Sequence, residues 1–193
     1  MIDSRIKLKF YINEDYKRNL GNCPKWKYYV ILLYGGDSAM VFRYLKALRK
    51  YEYAINVQKD SFCGKIIYLY RKFVWRKLCV KYNIVLPPNK IGYGFKIAHI
   101  VGGGIIINCK SIGNYCSANA GVIVGNNNGQ DKIATIEDNV SLTIGSKVIG
   151  NVRIGANSVV APNSVVVKDV PPNSIVSGIP AKVIKQNGII VKS

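Results

Sequence analysis

From Ile136 to Val166 an aliphatic residue returns every sixth position: Ile136, Leu142, Val148, Ile154, Val160 and Val166. Four positions beyond each stands a small or β-branched residue: Val140, Ser146, Val152, Ser158, Ser164 and Val170. Upstream, Ile106, Ile112, Ala118 and Val124 keep the same step. A period of six matches neither a helix at 3.6 nor a long alternating strand at 2. It fits short strands joined by tight turns, each flat side burying one aliphatic residue. Glycine follows the aliphatic residue at Gly92, Gly113, Gly125 and Gly155. Asn108, Asn114, Asn139, Asn151, Asn157 and Asn163 supply corner residues suited to positive φ. Such coils bury a core only against one another, whereas a β-sandwich spaces its strands roughly 8–12 residues apart.

The rest of the chain is different in kind. Residues 1–90 hold 19 Lys/Arg against 6 Asp/Glu, and residues 91–193 hold 9 against 4. Of the 20 aromatic residues, 17 lie in the first half. The break near Leu86-Pro87-Pro88 predicts a basic helical domain over 1–85, a repeat domain over 86–184 and a tail over 185–193. Asp37 or Ser38 is the expected cap of a helix carrying Val41, Tyr44, Leu45 and Leu48 on one side. A second helix over 65–82 is expected to pack Ile66, Leu69, Tyr70, Phe73 and Val74, with Arg71, Lys72, Arg76, Lys77 and Lys81 opposite. Pro24 and Trp26 suggest a helix start. The aromatic residues are expected to pack on the repeat domain and on other subunits; peripheral membrane association through Phe73 and Trp75 is the alternative. The charge is not accompanied by a nucleic-acid-binding motif, so no nucleic-acid partner is expected.

The five cysteines form no CxxC pair, which argues against a zinc site or disulfide framework and for buried free thiols. The longest local apolar run, 28–34, is far short of the ~20 residues of a spanning helix. The N-terminus lacks an apolar signal core. The expectation is a cytoplasmic protein, at most located on the inner face of the membrane.

The segments KIGYGFKIAH (90–99), GGIIIN (103–108), AGVIVGN (120–126), 136–166 and VPPNSIVSGIPAKVI (170–184) resemble the hexapeptide-repeat acyltransferases, in particular the serine acetyltransferase branch and enzymes acetylating capsule and other polysaccharides. The resemblance covers about half the chain. It implies a mainly β fold, a left-handed parallel β-helix behind an N-terminal α-helical domain. It also implies a homotrimer with sites between neighbouring helices, and acetyl-CoA as co-substrate without a metal.

One histidine is present, His99. It interrupts the repeat, because Ile97 to Ile106 is nine residues, and it precedes Gly102, Gly103 and Gly104. A repeat broken around its only imidazole suggests a functional exception. The resemblance makes His99 the general base that takes the proton of an attacking hydroxyl, work for which imidazole suits neutral pH. It places Gly125 and Asn126, within the stretch 124–129, beside the thioester as oxyanion donors. It sets Gly145, Ala161, Ser177 and Gly178 along CoA, with Lys182 or Lys147 near its phosphates.

Three positions depart from the family. Ile133 stands where serine acetyltransferases carry a second histidine, Ala98 where they carry an Asp, and Ile84 where an acid orients the base. A backbone carbonyl, or an acid such as Asp131 or Glu137 of a neighbouring subunit, is a candidate replacement. The first two departures point to a sugar or glycan hydroxyl as acceptor, while the third bears on how His99 is oriented. Serine O-acetyltransferase and a non-catalytic β-helix scaffold are the alternatives. A carbonic anhydrase on this fold would need three zinc-binding histidines and is excluded.

Overall fold

A computed structural model describes residues 1–126 and 133–191. Helices come first: α1 (Arg5–Leu20), α2 (Lys25–Leu33), α3 (Asp37–Tyr53) and α4 (Phe62–Tyr82), with a π-helical turn, Ala54–Gln58, between the last two. Ser4 caps α1 by accepting from Lys7 N at 3.2 Å. The cap of α3 is Gly36, one residue before the expected Asp37, which instead lies in the first turn where its negative charge is favoured by the positive end of the helix dipole. Helix α4 starts three residues earlier than the expected 65, because Ser61 accepts from Gly64 N at 3.1 Å. It ends on Asn83 in the left-handed conformation (φ 53°).

Helix α3 buries Val41, Tyr44, Leu45 and Leu48 completely, as its spacing predicts. The packed side of α4 differs from the expectation: of the expected apolar residues only Val74 lies partly buried against the core, and Lys72, Arg76, Lys77 and Lys81 are exposed as expected. Gly64, Trp75, Leu78, Cys79 and Tyr82 are buried, while Ile66, Leu69, Tyr70 and Phe73 face solvent. Both stripes have helical spacing, so periodicity alone cannot choose between them. Trp75 decides the packing: its ring stacks on Tyr51 at 5.0 Å and its Nε1 donates to Tyr44 Oη at 3.4 Å. Phe73 is therefore outside and Trp75 inside.

Strands β1 (Ile84–Val85), β2 (Lys96–Ala98), β3 (Ile105–Ile107), β4 (Ser111–Ile112), β5 (Ser117–Asn119) and β6 (Ile123–Gly125) form the first coils. After the undescribed stretch come β7 (Thr135–Ile136), β8 (Ser141–Leu142), β9 (Lys147–Ile149), β10 (Arg153–Ile154), β11 (Val159–Val160) and β12 (Val165–Val166). The last are β13 (Ser174–Gly178), β14 (Ala181–Gln186) and β15 (Ile189–Ile190). They stack into three faces: β1-β3-β6-β9-β12 is the first, β4-β7-β10 the second, and β2-β5-β8-β11-β13 the third. All pairs up to β13 are parallel; β14 and β15 fold back antiparallel on the third face. The stretch expected as a tail thus continues strand pairing to Ile190. This is a three-sided parallel β-helix behind a helical N-terminal region.

The inward residues form one core running through the β-helix into α3 and α4. From Ile136 to Val166 each expected aliphatic residue is buried, and so are Val140, Ser146, Val152, Ser158, Ser164 and Val170 four places on. Ile106 is a correction. It is 49% exposed, while Ile105 and Ile107 point inward and Ile107 pairs with Val124. The interruption after Ile97 is thus ten residues long and is followed by a five-residue step to Ile112. Corner asparagines are likewise selective. Asn139, Asn157 and Asn163 have positive φ, as do Asn89 and Asn173, but Asn108, Asn114 and Asn151 do not. Asn139, Asn157 and Asn173 form a ladder, each side-chain amide donating to the next at 3.2 and 3.0 Å. Of the cysteines, Cys79, Cys109 and Cys116 are buried; against expectation Cys23 is only half-buried and Cys63 is exposed.

A buried ionic cluster joins the helices to the first coil. Arg49 is fully buried and donates to Asp15 at 2.8 Å and Glu52 at 3.1 Å. It also donates to the carbonyls of Ile91 (2.8 Å) and Gly92 (2.5 Å). Asp15 Oδ1 accepts from Phe95 N at 3.1 Å, Glu52 from Asn89 N at 2.8 Å, and Asn19 bonds both Phe95 O and Ile97 N. Burial pulls the Arg49 pKa down, but Asp15 and Glu52 outweigh it and hold the guanidinium charged.

Arg49→Ala leaves two carboxylates without their counter-ion and is expected to destabilise the chain by about 3–5 kcal/mol, read as a lowered urea midpoint. The inward register is checked by a pair. Ile107→Ala is expected to cost about 2–5 kcal/mol, and Ile106→Ala under about 1 kcal/mol in the same titration.

Candidate active site

Strand β2 ends at Ala98 on the third face, and His99 turns the chain toward the first. Its backbone is left-handed, φ 59° and ψ 46°. That region is uncommon for a residue with a Cβ, though His, Asn and Asp enter it more than most. The turn is held by Gly102 N donating to His99 O at 3.2 Å and by burial of Ile100. The result is an exposed imidazole on a fixed backbone. No hydrogen bond reaches its ring among the described residues.

The corner that starts at His99 continues up the β-helix on small residues. Ala98 pairs with Asn119, and the stack proceeds through Thr143, Ala161 and Ser177. Four coil steps of ~4.8 Å give about 19 Å of edge. Beside this column lie Gly121 (φ 73°), Gly145 (φ 68°), Asn163 (φ 57°) and Gly178 (φ 104°). At Gly121 a Cβ would stand 3.3 Å from Gly145 Cα; at Gly145 it would meet Asn163 Oδ1 at 2.1 Å. The edge is therefore a strip of backbone with few side chains to wall it. Ala161 N donates to Val176 O, and Gly178 N to Ser164 Oγ at 3.1 Å. Lys182 pairs with Ser177 at the far end and is exposed. Lys147 Nζ lies 3.2 Å from Gly145 O. The structure thus brings His99, Gly145, Ala161, Ser177, Gly178 and Lys182 to one edge.

Gly125 and Asn126 are elsewhere. Gly125 ends β6, so it sits at the other edge of the first face, where its carbonyl accepts from Gly150 N at 3.0 Å. Within one protomer the first face separates Gly125 from His99. Residues 127–129 and Asp131 lie outside the described residues.

Two of the positions that depart from the resemblance, Ile84 and Ala98, are engaged in the fold. Ile84 is buried in β1 and pairs with Ile105, so the place of the orienting acid is core. Ala98 is half-buried, and its carbonyl accepts from Ala120 N at 3.2 Å. Glu137 is already engaged: Arg153 holds it in an ion pair and Ala156 N donates to it at 2.8 Å. Arg153 and the Ala156 N–H draw its carboxyl below the usual range. Among the described residues no cluster of three His, Cys, Asp or Glu could hold a metal.

A cleft of about 300 Å³ adjoins the His99 turn, lined by Lys81, Asn83, Ile100, Gly103 and Gly104 among others. Sequence reasoning assigned Lys81 and Asn83 no part here. They belong to the end of α4, and nothing in the chain's pattern brings that end to the histidine turn.

Solved structures that resemble this arrangement include serine acetyltransferases. One is the enzyme from Brucella abortus strain S19, with TM-score 0.69 and 21% identity over 95% of this chain and 71% of that one. Another, from Neisseria gonorrhoeae in complex with serine, has TM-score 0.65 and 25% identity over 92% and 69%. This chain has their fold. In sequence it is 38% identical over 108 residues to the serine acetyltransferase of Synechococcus elongatus, covering 54% of this chain and 43% of that protein. To the enzyme of Bacillus licheniformis it is 40% identical over 105 residues, covering 53% and 48%. The chain thus matches about half the length of these curated relatives. No family model matches it.

The two glycines singled out from sequence are expected to respond differently. Gly145→Ala forces a Cβ into left-handed backbone against Asn163 and is expected to destabilise by about 1–3 kcal/mol. An added Cβ at Gly125 meets nothing within 4 Å, so Gly125→Ala is expected to stay within about 0.5 kcal/mol of the parent. Thermal melts of both variants check this.

Proposed function

We propose that this protein is an O-acetyltransferase that uses acetyl-CoA. The observation carrying the reading is an exposed, solitary imidazole at the foot of a continuous strip of small residues, on a fold shared with serine acetyltransferases. The strip from Gly121 through Gly145 and Ala161 to Gly178 suits an extended chain lying against backbone, with Lys182 as the cation at its end. Acetyl-CoA, when bound, supplies an already activated acyl group. His99 accepts the proton of the acceptor hydroxyl as that oxygen becomes a nucleophile. Its fixed left-handed turn and its exposure suit that work. Gly125 and Asn126 mark the proposed location of the donors to the oxyanion.

Those donors and His99 occupy opposite edges of one face. A complete site therefore requires the Gly125 edge of a second protomer beside the His99 edge of the first, which supports a homo-oligomer, for which the resemblance implies a trimer. Within this reading the repeat region from 86 to 184 carries the chemistry, in a cytoplasmic enzyme. No helix among the described residues is long and apolar enough to cross a membrane.

Serine is the acceptor best supported, because the relatives and neighbouring structures carry that name and one of them was solved with serine. A sugar or glycan hydroxyl is the second reading. Ile133 and Ala98 favour it, since they replace side chains that the resemblance assigns to the serine enzymes.

Thiol release from acetyl-CoA, followed with serine and with a panel of nucleotide-linked and polymeric sugars, tests the reading. Turnover with one acceptor is expected, falling at least about 100-fold in His99→Ala. Unchanged turnover in that variant contradicts the assignment of the base.

A further inference from the structure

The outward side of α4 is unlike the surface of a helix facing only water. Phe62, Ile66, Leu69, Phe73 and Val80 are between 57% and 81% exposed. At 100° per residue all five fall within a narrow arc opposite buried Trp75 and Tyr82. Lys65, Lys72 and Arg76 line one flank of that arc, and Lys77 and Lys81 the other. Helix α4 contains no acidic residue. Lys77 Nζ lies over the Phe73 ring, 4.8 Å from its centre, so a cation sits directly at the margin of the apolar stripe.

Beside the stripe, α3 and α4 enclose an open cavity of about 220 Å³ in which Arg43, Lys46, Lys50 and Arg71 converge. Arg71 Nε is buried there without a hydrogen-bond partner among the described residues. Arg43 also lines the next groove along, together with Phe73, Lys77 and Val80, so cationic cavity and apolar stripe form one continuous surface.

Charge decides the occupant. A second copy of this chain has little to offer such a face. Asp15 and Glu52 are buried on Arg49, and Asp3, Glu14 and Glu137 are paired with Lys7, Lys17 and Arg153. Asp138 and Asp169 accept backbone N–H groups from Asn114 and Arg153. Among the described residues only Asp37 and Asp60 remain. The anion must come from elsewhere. A nucleic acid would neutralise the cations but leave Ile66, Leu69 and Val80 unburied. An anionic bilayer satisfies both parts, taking apolar side chains below its headgroups and presenting phosphates to flanking lysines and arginines.

We propose that the outward face of α4, with the adjoining α3–α4 cavity, is a peripheral docking surface for anionic phospholipid membranes. The stripe enters the boundary between headgroups and acyl chains, and Arg43, Lys46, Lys50 and Arg71 receive a lipid phosphate. This stands independently of the acetyltransferase reading.

Vesicle co-sedimentation of the full chain tests it, comparing phosphatidylcholine alone with equal parts phosphatidylcholine and phosphatidylglycerol. Binding is expected only to the second. Leu69→Asp with Phe73→Asp, and separately Lys72→Glu with Lys77→Glu, are expected to weaken it about tenfold or more. The substituted side chains are all exposed, and circular dichroism and melting are expected to match the parent. Equal binding to both vesicles, or undiminished binding by either variant, overturns the proposal. So does a fall in native mass of the Leu69→Asp/Phe73→Asp variant in the absence of lipid, which assigns the stripe to contact between copies. Retention on duplex DNA without vesicle binding overturns it as well.

Discussion

The guanidinium of Arg49 closes the β-helix. A stack of parallel coils ends in an edge of unpaired N–H and C=O groups, and a helix cannot pair with that edge through its own backbone. Here side chains do so. Arg49 takes the carbonyls of Ile91 and Gly92, Asp15 takes Phe95 N, Glu52 takes Asn89 N, and Asn19 takes both Phe95 O and Ile97 N. The cluster is fully out of water, so its charges must satisfy one another, and α1 and α3 are held in a single geometry against the first coil. Ile97 is two residues before His99. The buried ions that close the fold therefore also fix the strand that presents the imidazole.

The corners explain why one edge can serve as a site. On the corner leading into the third face, Asn139, Asn157 and Asn173 occupy left-handed positions and bond to one another in a ladder. On the corner leading into the first face glycine holds most of those positions, and a Cβ at Gly145 would meet the side-chain oxygen of Asn163. The first corner presents side chains and the second presents backbone. His99 breaks the second corner at its foot, where the ten-residue interruption provides room for a short 3-10 turn.

The sequence made the repeat legible from Ile136 onward because no insertion disturbs it, and each inward residue there could be named. Before that point it failed by one residue. Ile106 fits a six-residue step, but the insertion after Ile97 is four residues longer than the step allows, and the coil recovers its register with a five-residue step from Ile107. His99 was legible as the only histidine, and Gly145, Ala161, Ser177, Gly178 and Lys182 through their resemblance to a known groove; all come to its edge. Gly125 and Asn126 were legible as candidates, but not their separation from His99 by the width of a face. Helix α4 misled because it carries two apolar stripes of equal spacing. The pairing of Arg49 with Asp15, 34 residues away, left no local trace, because a buried ion and a solvated one look alike in sequence.

The central claim is that His99 and the small-residue edge above it form one acyl-transfer groove. A crystal structure with CoA bound tests this most directly. The account predicts the pantetheine chain along Gly121, Gly145, Ala161 and Gly178, its thiol end beside His99 and the Gly125 edge of a neighbouring protomer closing the other side. CoA lying on another edge, or a thiol end remote from His99, contradicts it.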